Sequence, residues 1–314
     1  PIYLMEKVLT ITLNPAIDKS TVIQTMAPEK KLRCAPPNFE PGGGGVNVSR
    51  AIRKLGGTST ALFFAGGHTG SFFLSLLQRE SIDAVAIPIN AFTRENLIVF
   101  EESTGQQYRF GMPGPSVTET DWNAVLHFLS SESGYEYVVI SGSNPNGVPP
   151  DFYKEAAKIV RNKKAKLVAD TSGDTLKTIL DCGIFLAKPN LGELAGLVGT
   201  EELDAHSAID AAKSVINNGK CEVLVVSMGA FGALLVTANE VFHSPSPAVK
   251  RKSTVGAGDS MVAGLITGFT KGLSLKNVLR YGIASGTAAT LNSGTALCNI
   301  EDVERIYSQL LMTN

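Results

Sequence analysis

The repeated alternation of short apolar runs with longer amphipathic segments constrains the fold of this chain most strongly. Four runs are nearly continuous in apolar residues, as expected for parallel strands covered on both faces: 7–14, 59–67, 136–143 and 165–173. Helical spacing occurs at 46–57, 70–81 (opened by Ser71), 150–163, 207–219, 259–271 and 275–292, and 222–236 is typical of strand, turn and strand. This order predicts an α/β fold with a doubly wound, mostly parallel sheet flanked by helices.

Two segments, 17–40 and 94–111, are more polar and contain turns with Pro and Gly. They predict short strands, with a hairpin turn at 103–106. These strands could decorate the edge of the main sheet. They could instead form a small separate sheet that covers a site as a lid and pairs with a second subunit. We treat the whole chain, 1–314, as one α/β domain that carries this lid.

Composition and charge exclude several classes of protein. Apolar residues make up 44% of the 314 residues and charged residues 18%, which excludes a disordered or fibrous chain. A net charge of −1 provides no overall field for nucleic acid or an anionic membrane. No apolar run approaches a membrane span, no targeting segment is visible, and the four cysteines are scattered without metal-ligand spacing. We therefore expect a cytoplasmic protein that binds neither nucleic acid nor membrane.

Residues 253–261, STVGAGDSM, form a glycine turn that opens a predicted helix. Backbone N–H groups at Gly256, Ala257 and Gly258, with the positive end of the helix dipole, suit an anion. Asp259 stands where a phosphate site would carry Lys, and it could simply be the helix N-cap. A carboxylate beside an anion hole also suits phosphoryl transfer, in which a base takes the proton of the attacking hydroxyl. The glycine–alanine–glycine run favours this second role.

A run of four glycines, Gly42 to Gly45, precedes the first predicted helix. Because these residues have no Cβ, the backbone there can approach a ligand closely. Asn47 lies in the first turn of that helix and would face whatever the glycines admit. The alternative is an ordinary loop, but four consecutive glycines cost backbone entropy, which favours a ligand site.

Asn190 and Glu193 are three residues apart at the start of a predicted helix. Their oxygens suit Mg²⁺, which takes one or two protein oxygens together with waters and substrate phosphates. The same spacing is that of a capping box, which the spacing alone favours. A turn with Gly229 and Gly232 follows a buried strand, and it is either a hairpin turn or a wall of a nucleotide site.

Together these motifs resemble the ribokinase-like (PfkB-type) carbohydrate kinase family. PGGGGVNVSRAIRKLGG (41–57) and STVGAGDSM (253–261) match its two signatures, and NPAID (14–18) and KPNLGE (188–193) occur in the family's order, over essentially the whole chain. The resemblance implies a ribokinase-like fold with a small β-sheet lid. Ser253 stands where many members carry Asp. Asn144, Asn146 and Gly192 also depart from the pattern, without removing a catalytic group.

The resemblance implies a role for each matching residue. Asp259 would be the general base that deprotonates the sugar, and Gly256, Ala257 and Gly258 would hold the transferred phosphoryl group. Sugar binding would fall to Asp18, Gly43, Gly44, Asn47 and Ser143. ATP would be bound by Lys188, Asn190, Ser227, Gly229, Gly232, Thr287 and Asn292. Mg²⁺ would be held by Asn190 and Glu193, and K⁺ by Ser253, Val255, Ala289, Asn292, Gly294 and Ala296.

Three cations in the predicted lid, Lys31, Arg33 and Arg94, are candidates for a clamp on a phosphate that the substrate carries. An Arg side chain can bond two phosphate oxygens at once. The alternative is three solvated surface cations. Their place in the lid and the resemblance of KLRC (31–34) favour the clamp.

The resemblance thus implies an ATP-dependent kinase that phosphorylates the C1 hydroxyl of fructose 6-phosphate, as a homodimer joined through the lid. Tagatose-6-phosphate kinase and 1-phosphofructokinase share the core motifs and stay open as alternatives. An NAD-dependent dehydrogenase needs a glycine motif directly after the first strand, and TLNPAID (12–18) offers no glycine there. A non-catalytic sugar-phosphate binding protein would not need both Asp259 and Glu193.

Overall fold

The computed structural model describes residues 7–292 and 294–312. Its strands are β1 (Lys7–Thr12), β2 (Ala16–Ile23), β3 (Asn38–Gly42), β4 (Ser59–Ala65), β5 (Asp83–Pro88), β6 (Arg94–Glu101), β7 (Gln106–Phe110), β8 (Tyr135–Ser141), β9 (Lys166–Asp170), β10 (Ile184–Ala187), β11 (Cys221–Ser227), β12 (Ala233–Val236) and β13 (Val241–Ser244). Its α-helices are α1 (Gly44–Lys54), α2 (Gly67–Arg79), α3 (Glu119–Ser131), α4 (Pro150–Asn162), α5 (Gly173–Leu180), α6 (Leu191–Val198), α7 (Ser207–Asn217), α8 (Ala257–Thr270), α9 (Leu275–Thr290) and α10 (Ile300–Met312).

The main sheet of the described residues has nine strands in the order β13-β12-β11-β10-β9-β8-β1-β4-β5. The strands from β11 to β5 in this order pair in parallel, and β12 and β13 add an antiparallel edge. The chain winds outward from β1 through β4 and β5, then returns to β8 and winds the other way. The strand order therefore reverses between β1 and β8, and ligands bind beyond the carboxyl ends of strands at such a reversal.

Alternate residues of the central strands face two separate cores. In β8, Val139 packs into the core formed with α1, α8, α9 and α10, whereas Ile140 packs into the core formed with α3 to α7. Burial on both faces explains why these strands are continuous apolar runs, and the doubly wound prediction is confirmed. No helix among the described residues is both long and apolar enough to cross a membrane.

A second sheet of four strands, called the small sheet below, has the order β3-β2-β6-β7. β2 pairs antiparallel with β3 and parallel with β6, and β6 and β7 form the hairpin expected at 103–106. Its strands come from the two polar segments, and none of them pairs with a strand of the main sheet in the described part of the chain. The edge-decoration alternative is therefore wrong.

The start of α2 differs from the prediction, because this helix begins at Gly67 and not at Ser71. The chain turns sharply out of β4: Gly67 has φ 64°, and a Cβ at Gly66 would overlap the carbonyl oxygen of Ala91. This tight turn lets the helix begin four residues earlier, on residues that the apolar spacing does not mark. The strand predicted to reach residue 173 ends at Asp170, and the periodicity did not reveal α3, α5, α10, β5 or β13.

Candidate active site

Asp259 lies in the first turn of α8, but it is not the N-cap of that helix. The N-cap is Gly256, with φ 71°, and a Cβ at Gly256 would overlap the side chain of Leu297. The amide of Ser260 donates to the carbonyl of Gly256 at 2.8 Å, which starts the helix. The N-cap alternative for Asp259 is therefore wrong, and its carboxylate points to other partners.

The carboxyl of Asp259 has an electrostatic environment that favours its protonated form. Its pKa is raised to about 7, first by burial and then by the nearby charge of Asp170. A hydrogen bond from Asn47 and the charge of Lys188 act in the opposite direction, while Asp18 adds a smaller upward effect. A carboxylate that titrates near neutral pH is well matched to general-base chemistry.

Asn47 joins the two glycine motifs. Its Nδ2 donates to Oδ2 of Asp259 at 2.9 Å, and its own backbone amide donates to the carbonyl of Gly43 at 2.8 Å. Gly43 has φ 112°, and a Cβ at Gly44 would overlap the hydroxyl of Ser141 at the end of β8. The glycines are needed because α1 begins against the carboxyl ends of β1 and β8, where the strand order reverses.

The small sheet supplies Asp18, which accepts a hydrogen bond from Asn96 Nδ2 at 2.9 Å. Burial raises the pKa of Asp18, while the Asn96 bond and the charge of Arg94 lower it by less. Arg94, the first residue of β6, is half-buried and donates to the carbonyls of Asn14, Pro15 and Met112 at 3.0, 3.4 and 2.9 Å. Its guanidinium therefore joins two loop segments beside Asp18, the one at Asn14 and Pro15 and the one at Met112.

Lys31 and Arg33 are not brought into this cluster. Both lie in the exposed loop between β2 and β3. No hydrogen bond or ion pair holds either side chain within the part of the chain that the structure describes. The phosphate clamp with Arg94 is thus not assembled here and stays a prediction.

Two buried polar atoms near the strand-order reversal have no protein partner among the described residues: Asn14 Oδ1 and Ser141 Oγ. Asn14 follows β1 and donates through Nδ2 to the hydroxyl of the exposed Ser143 at 2.9 Å. Ser141 ends β8, beside Gly44. Unsatisfied buried polar atoms are costly unless a ligand or water meets them. Asn14 and Ser141 were not predicted as site residues, although Asn14 ends the predicted strand 7–14 and Ser141 lies two residues before the end of the predicted strand 136–143.

Lys188, which follows β10, is 6% exposed. Its Nζ lies 3.0 Å from Oδ1 of Asp170 at the end of the neighbouring strand β9. A Cβ at Gly258 would lie 3.6 Å from the same Nζ, so the ammonium stands beside the start of α8. Burial lowers the pKa of Lys188, but Asp170 and then Asp259 raise it more, so the side chain stays charged. Asp170 was also missed, because it is marked only by a charge at the end of an apolar run.

The start of α8 also lines a cavity of about 480 Å³, which is within the usual size of small-molecule sites. Six predicted residues line it: Ser227, Gly229, Gly232, Ala257, Gly258 and Thr287. The lining also includes residues that were not predicted: Ser246, Pro247, Ala248, Val249, Arg251, Thr254, Met261, Ile283, Gly286 and Thr290. Asn292 does not line it, and its amide donates to the carbonyl of Leu297 at 3.0 Å.

Asn190 and Glu193 form the capping box that their spacing allowed. The Glu193 amide donates to Asn190 Oδ1 at 2.8 Å, and the Asn190 amide donates to Glu193 Oε2 at 2.9 Å. Both residues line a smaller cavity of about 350 Å³ together with Gly173 and Gly192. An amide oxygen and a carboxylate oxygen still form a donor set that fits Mg²⁺, whose remaining ligands would be phosphate oxygens and waters.

The residues predicted to bind K⁺ come from two segments that the structure places side by side. The hydroxyl of Ser253 donates to the carbonyl of Gly294 at 2.8 Å and accepts from the amide of Val255 at 3.2 Å. Ala289 lies in the last turn of α9, and Asn292 and Ala296 lie in the loop that follows. Backbone carbonyls of a loop are ligands that suit a hard cation.

A sequence model of the pfkB family carbohydrate kinases matches residues 8–302. The ATP-dependent 6-phosphofructokinase isozyme 2 of Mycobacterium tuberculosis is 43% identical over 96% of this chain and 89% of that protein. The enzyme of the same name from Escherichia coli is 42% identical over 98% of this chain and 99% of its own length. The crystal structure of phosphofructokinase-2 from Escherichia coli in complex with potassium superposes with a TM-score of 0.94, at 41% identity, covering 98% of this chain and 100% of that chain. On its sequence and its fold alike, this chain belongs to the pfkB family of carbohydrate kinases.

Proposed function

We propose that this protein is an ATP-dependent 6-phosphofructokinase, which transfers a phosphoryl group from ATP to the C1 hydroxyl of fructose 6-phosphate and forms fructose 1,6-bisphosphate. The observation that carries the proposal is that Asp259 accepts a hydrogen bond from Asn47 of α1 and directly follows Gly258, which lines the cavity at the start of α8. A base at this place would lie next to both substrates. The names of the two relatives at 42–43% identity supply the choice of sugar.

In the proposed reaction, Asp259 accepts the proton of the C1 hydroxyl as its oxygen attacks the γ-phosphorus of ATP. The new C1–O–P bond forms while the bond between the γ-phosphorus and the bridging oxygen of ADP breaks. Backbone N–H groups of Gly256, Ala257 and Gly258 and the ammonium of Lys188 stabilise the charge on the transferred group. Mg²⁺, held through Asn190 and Glu193, would neutralise phosphate charge when it is bound.

The sugar side of the proposal uses the groups around the reversal of strand order. Asp18, Asn47, Ser143 and the backbone at Gly43 and Gly44 bind hydroxyls. Asn14 Oδ1 and Ser141 Oγ, which are buried and have no hydrogen-bond partner among the described residues, support a hydroxyl-rich ligand at this place. Lys31, Arg33 and Arg94 meet the 6-phosphate, and the small sheet acts as a lid whose loop must close to bring the first two inward.

ATP would occupy the 480 Å³ cavity. Its phosphates would point to the start of α8, and Ser227, Gly229, Gly232 and Thr287 would line the rest of the nucleotide. K⁺ would bind among Ser253, Val255, Ala289, Asn292, Gly294 and Ala296. The potassium complex of the Escherichia coli structure supports this part of the proposal.

A homodimer joined through the small sheet is also proposed. Phe100 in β6 and Phe110 in β7 are 39% and 42% exposed, on opposite faces of the small sheet, and exposed apolar side chains on an open sheet favour pairing with a second subunit. A cytoplasmic location is proposed because all four cysteines are free thiols.

The test is ATP consumption by the full chain, measured in parallel on fructose 6-phosphate, tagatose 6-phosphate and fructose 1-phosphate. We expect kcat/KM to be highest for fructose 6-phosphate. A higher value for either other sugar would replace the proposal with tagatose-6-phosphate kinase or 1-phosphofructokinase. Sugar binding without ADP formation would leave a binding protein.

A further inference from the structure

Arg50 is a buried cation in the middle of α1 that the proposed reaction leaves without a role. Its side chain is only 2% exposed. Nε and Nη2 donate to the two carboxylate oxygens of Glu80, each at 2.7 Å, and Nη2 also lies 3.4 Å from Oε1 of Glu40. Nη1 donates to the carbonyl of Pro41 at 2.8 Å and to Oδ1 of Asn47 at 3.2 Å. These five contacts match the five N–H groups of a guanidinium.

The contact with Asn47 decides which end of that amide faces the reacting groups. A guanidinium only donates, so Arg50 can bond only the oxygen end of the amide. The Nδ2 end must then point away from Arg50, and it donates to Asp259 at 2.9 Å. We propose that Arg50 is a positioning residue, which fixes the Asn47 amide so that its Nδ2 faces the carboxylate of Asp259. The inference rests on the proposed role of Asp259 as the base.

Without Arg50, the amide could rotate by half a turn and present Oδ1 to Asp259. A carbonyl oxygen can bond a carboxyl only when that carboxyl is protonated, which is the form that cannot act as a base. The hydrogen bond from Asn47 lowers the pKa of Asp259 against the larger effect of burial. The charged groups that face Asp259 from the other elements are Asp170 from β9, Lys188 after β10 and Asp18 from β2.

Arg50 is itself held from two sides, which makes it a rigid support. Glu80 follows α2, and Glu40 lies in β3 of the small sheet. Glu40 also accepts a hydrogen bond from the hydroxyl of Thr295. Because a buried cation without its carboxylates would be strongly unfavourable, the ion pairs with Glu80 and Glu40 hold the guanidinium in this position. Arg50 also donates to the backbone carbonyl of Pro41, and this bond holds the start of the glycine run against α1.

The experiment measures the titration of the Asp259 carboxyl by ¹³C NMR in the full-length protein, with Asp259→Asn to assign the signal. We expect Arg50→Met to raise the midpoint by about half to one pH unit, the size of one hydrogen bond's effect. The acid limb of kcat/KM should move by the same amount. Arg53→Lys, on the exposed face of the same helix, is the control and should leave both unchanged.

Loss of a positive charge could also raise the midpoint directly, so the same substitution is made in an Asn47→Leu background. We expect the shift to disappear there. A shift of equal size in that background, or none in either, overturns the proposal. Should Arg50→Met fold poorly, Arg50→Met with Glu80→Met removes the pair together and meets the same criteria. The NMR titration does not depend on catalysis. An Asp259→Asn enzyme that kept its activity would therefore refute the role of Asp259 as the base, while the effect of Arg50 on the Asp259 titration could still be measured.

Discussion

The side-chain amide of Asn47 donates a hydrogen bond of 2.9 Å to the carboxylate of Asp259, across 212 residues of sequence. This contact joins the first turn of α1 to the first turn of α8. Each helix follows a glycine turn, and each turn is packed too closely for a Cβ at Gly44 or at Gly256. The two motifs therefore form one site, with the candidate base at the centre.

Replacing Asp259 with Asn should remove the base while keeping shape and volume. We expect kcat to fall by about 10²–10⁴-fold, with the KM values for sugar and ATP nearly unchanged. Steady-state kinetics on both substrates measures this. Asp174→Asn, which changes an exposed acid in the first turn of α5, is the control, and a loss of less than about tenfold for Asp259→Asn would refute the assignment.

Activity should depend on one deprotonation near neutral pH. Because burial raises the pKa of Asp259 to about 7, the carboxylate fraction increases through that pH, and kcat/KM should increase with it and level off above. A pH profile of kcat/KM at constant ionic strength measures this limb. A midpoint close to 4 would show that Asp259 titrates as an ordinary carboxyl.

The raised pKa of Asp259 should also make the folded protein less stable as the pH increases. The folded protein binds the Asp259 proton more tightly than the unfolded chain, whose value is 3.8, so the contribution of this group to stability falls as the pH rises from about 4 to 7. We expect Asp259→Asn to increase Tm relative to the unmodified protein, by more at pH 8 than at pH 5. Calorimetry at both pH values measures the difference, and an increase in Tm that is equal at pH 5 and pH 8 would contradict the raised pKa of Asp259.

Gly256→Ala should destabilise the protein in two ways, through the positive φ of 71° and through overlap with Leu297. Gly272→Ala is the matched control, because Gly272 has φ 67° but open space around its Cβ position. We expect the control to cost about 1 kcal/mol, and Gly256→Ala to cost more and also to lower kcat. Urea unfolding measures the stability cost of each variant. Equal costs for the two variants would show that the side chain of Leu297 moves aside without a penalty.

Glu193→Gln separates magnesium binding from helix capping. A glutamine keeps an oxygen that can accept from the Asn190 amide, as Glu193 Oε2 does at 2.9 Å. We therefore expect stability to change little and the Mg²⁺ concentration for half-maximal rate to rise severalfold. An unchanged Mg²⁺ titration would leave Glu193 with its capping role alone.

Much of the site could be predicted because its motifs are local. Glycine turns before helices and the spacing of Asn190 and Glu193 depend on residues close in sequence, and all three features are present in the structure. The capping box shows the limit of such spacing, since the same two residues suit a cap and a metal. The spacing alone favoured the cap and the family resemblance favoured Mg²⁺; the structure forms the cap, and the Mg²⁺ site stays a prediction.

The groups that were missed act through neighbours distant in sequence. Asp170 meets Lys188 only because β9 and β10 pair side by side, and Arg50 meets Glu80 only because α1 and the end of α2 lie together. Arg94 was expected to face a phosphate, yet its donors meet three backbone carbonyls. Periodicity and spacing carry no information on such pairs.

The sequence by itself determined the fold class and the identity of the candidate catalytic groups. Apolar periodicity and glycine turns act within a few residues, so they are readable without knowledge of the rest of the chain. Only the tertiary structure decided the state of those groups. The pKa of Asp259 depends on burial and on Asp170, Lys188 and Asn47, and these neighbours meet because the strand order reverses between β1 and β8, which no local pattern encodes.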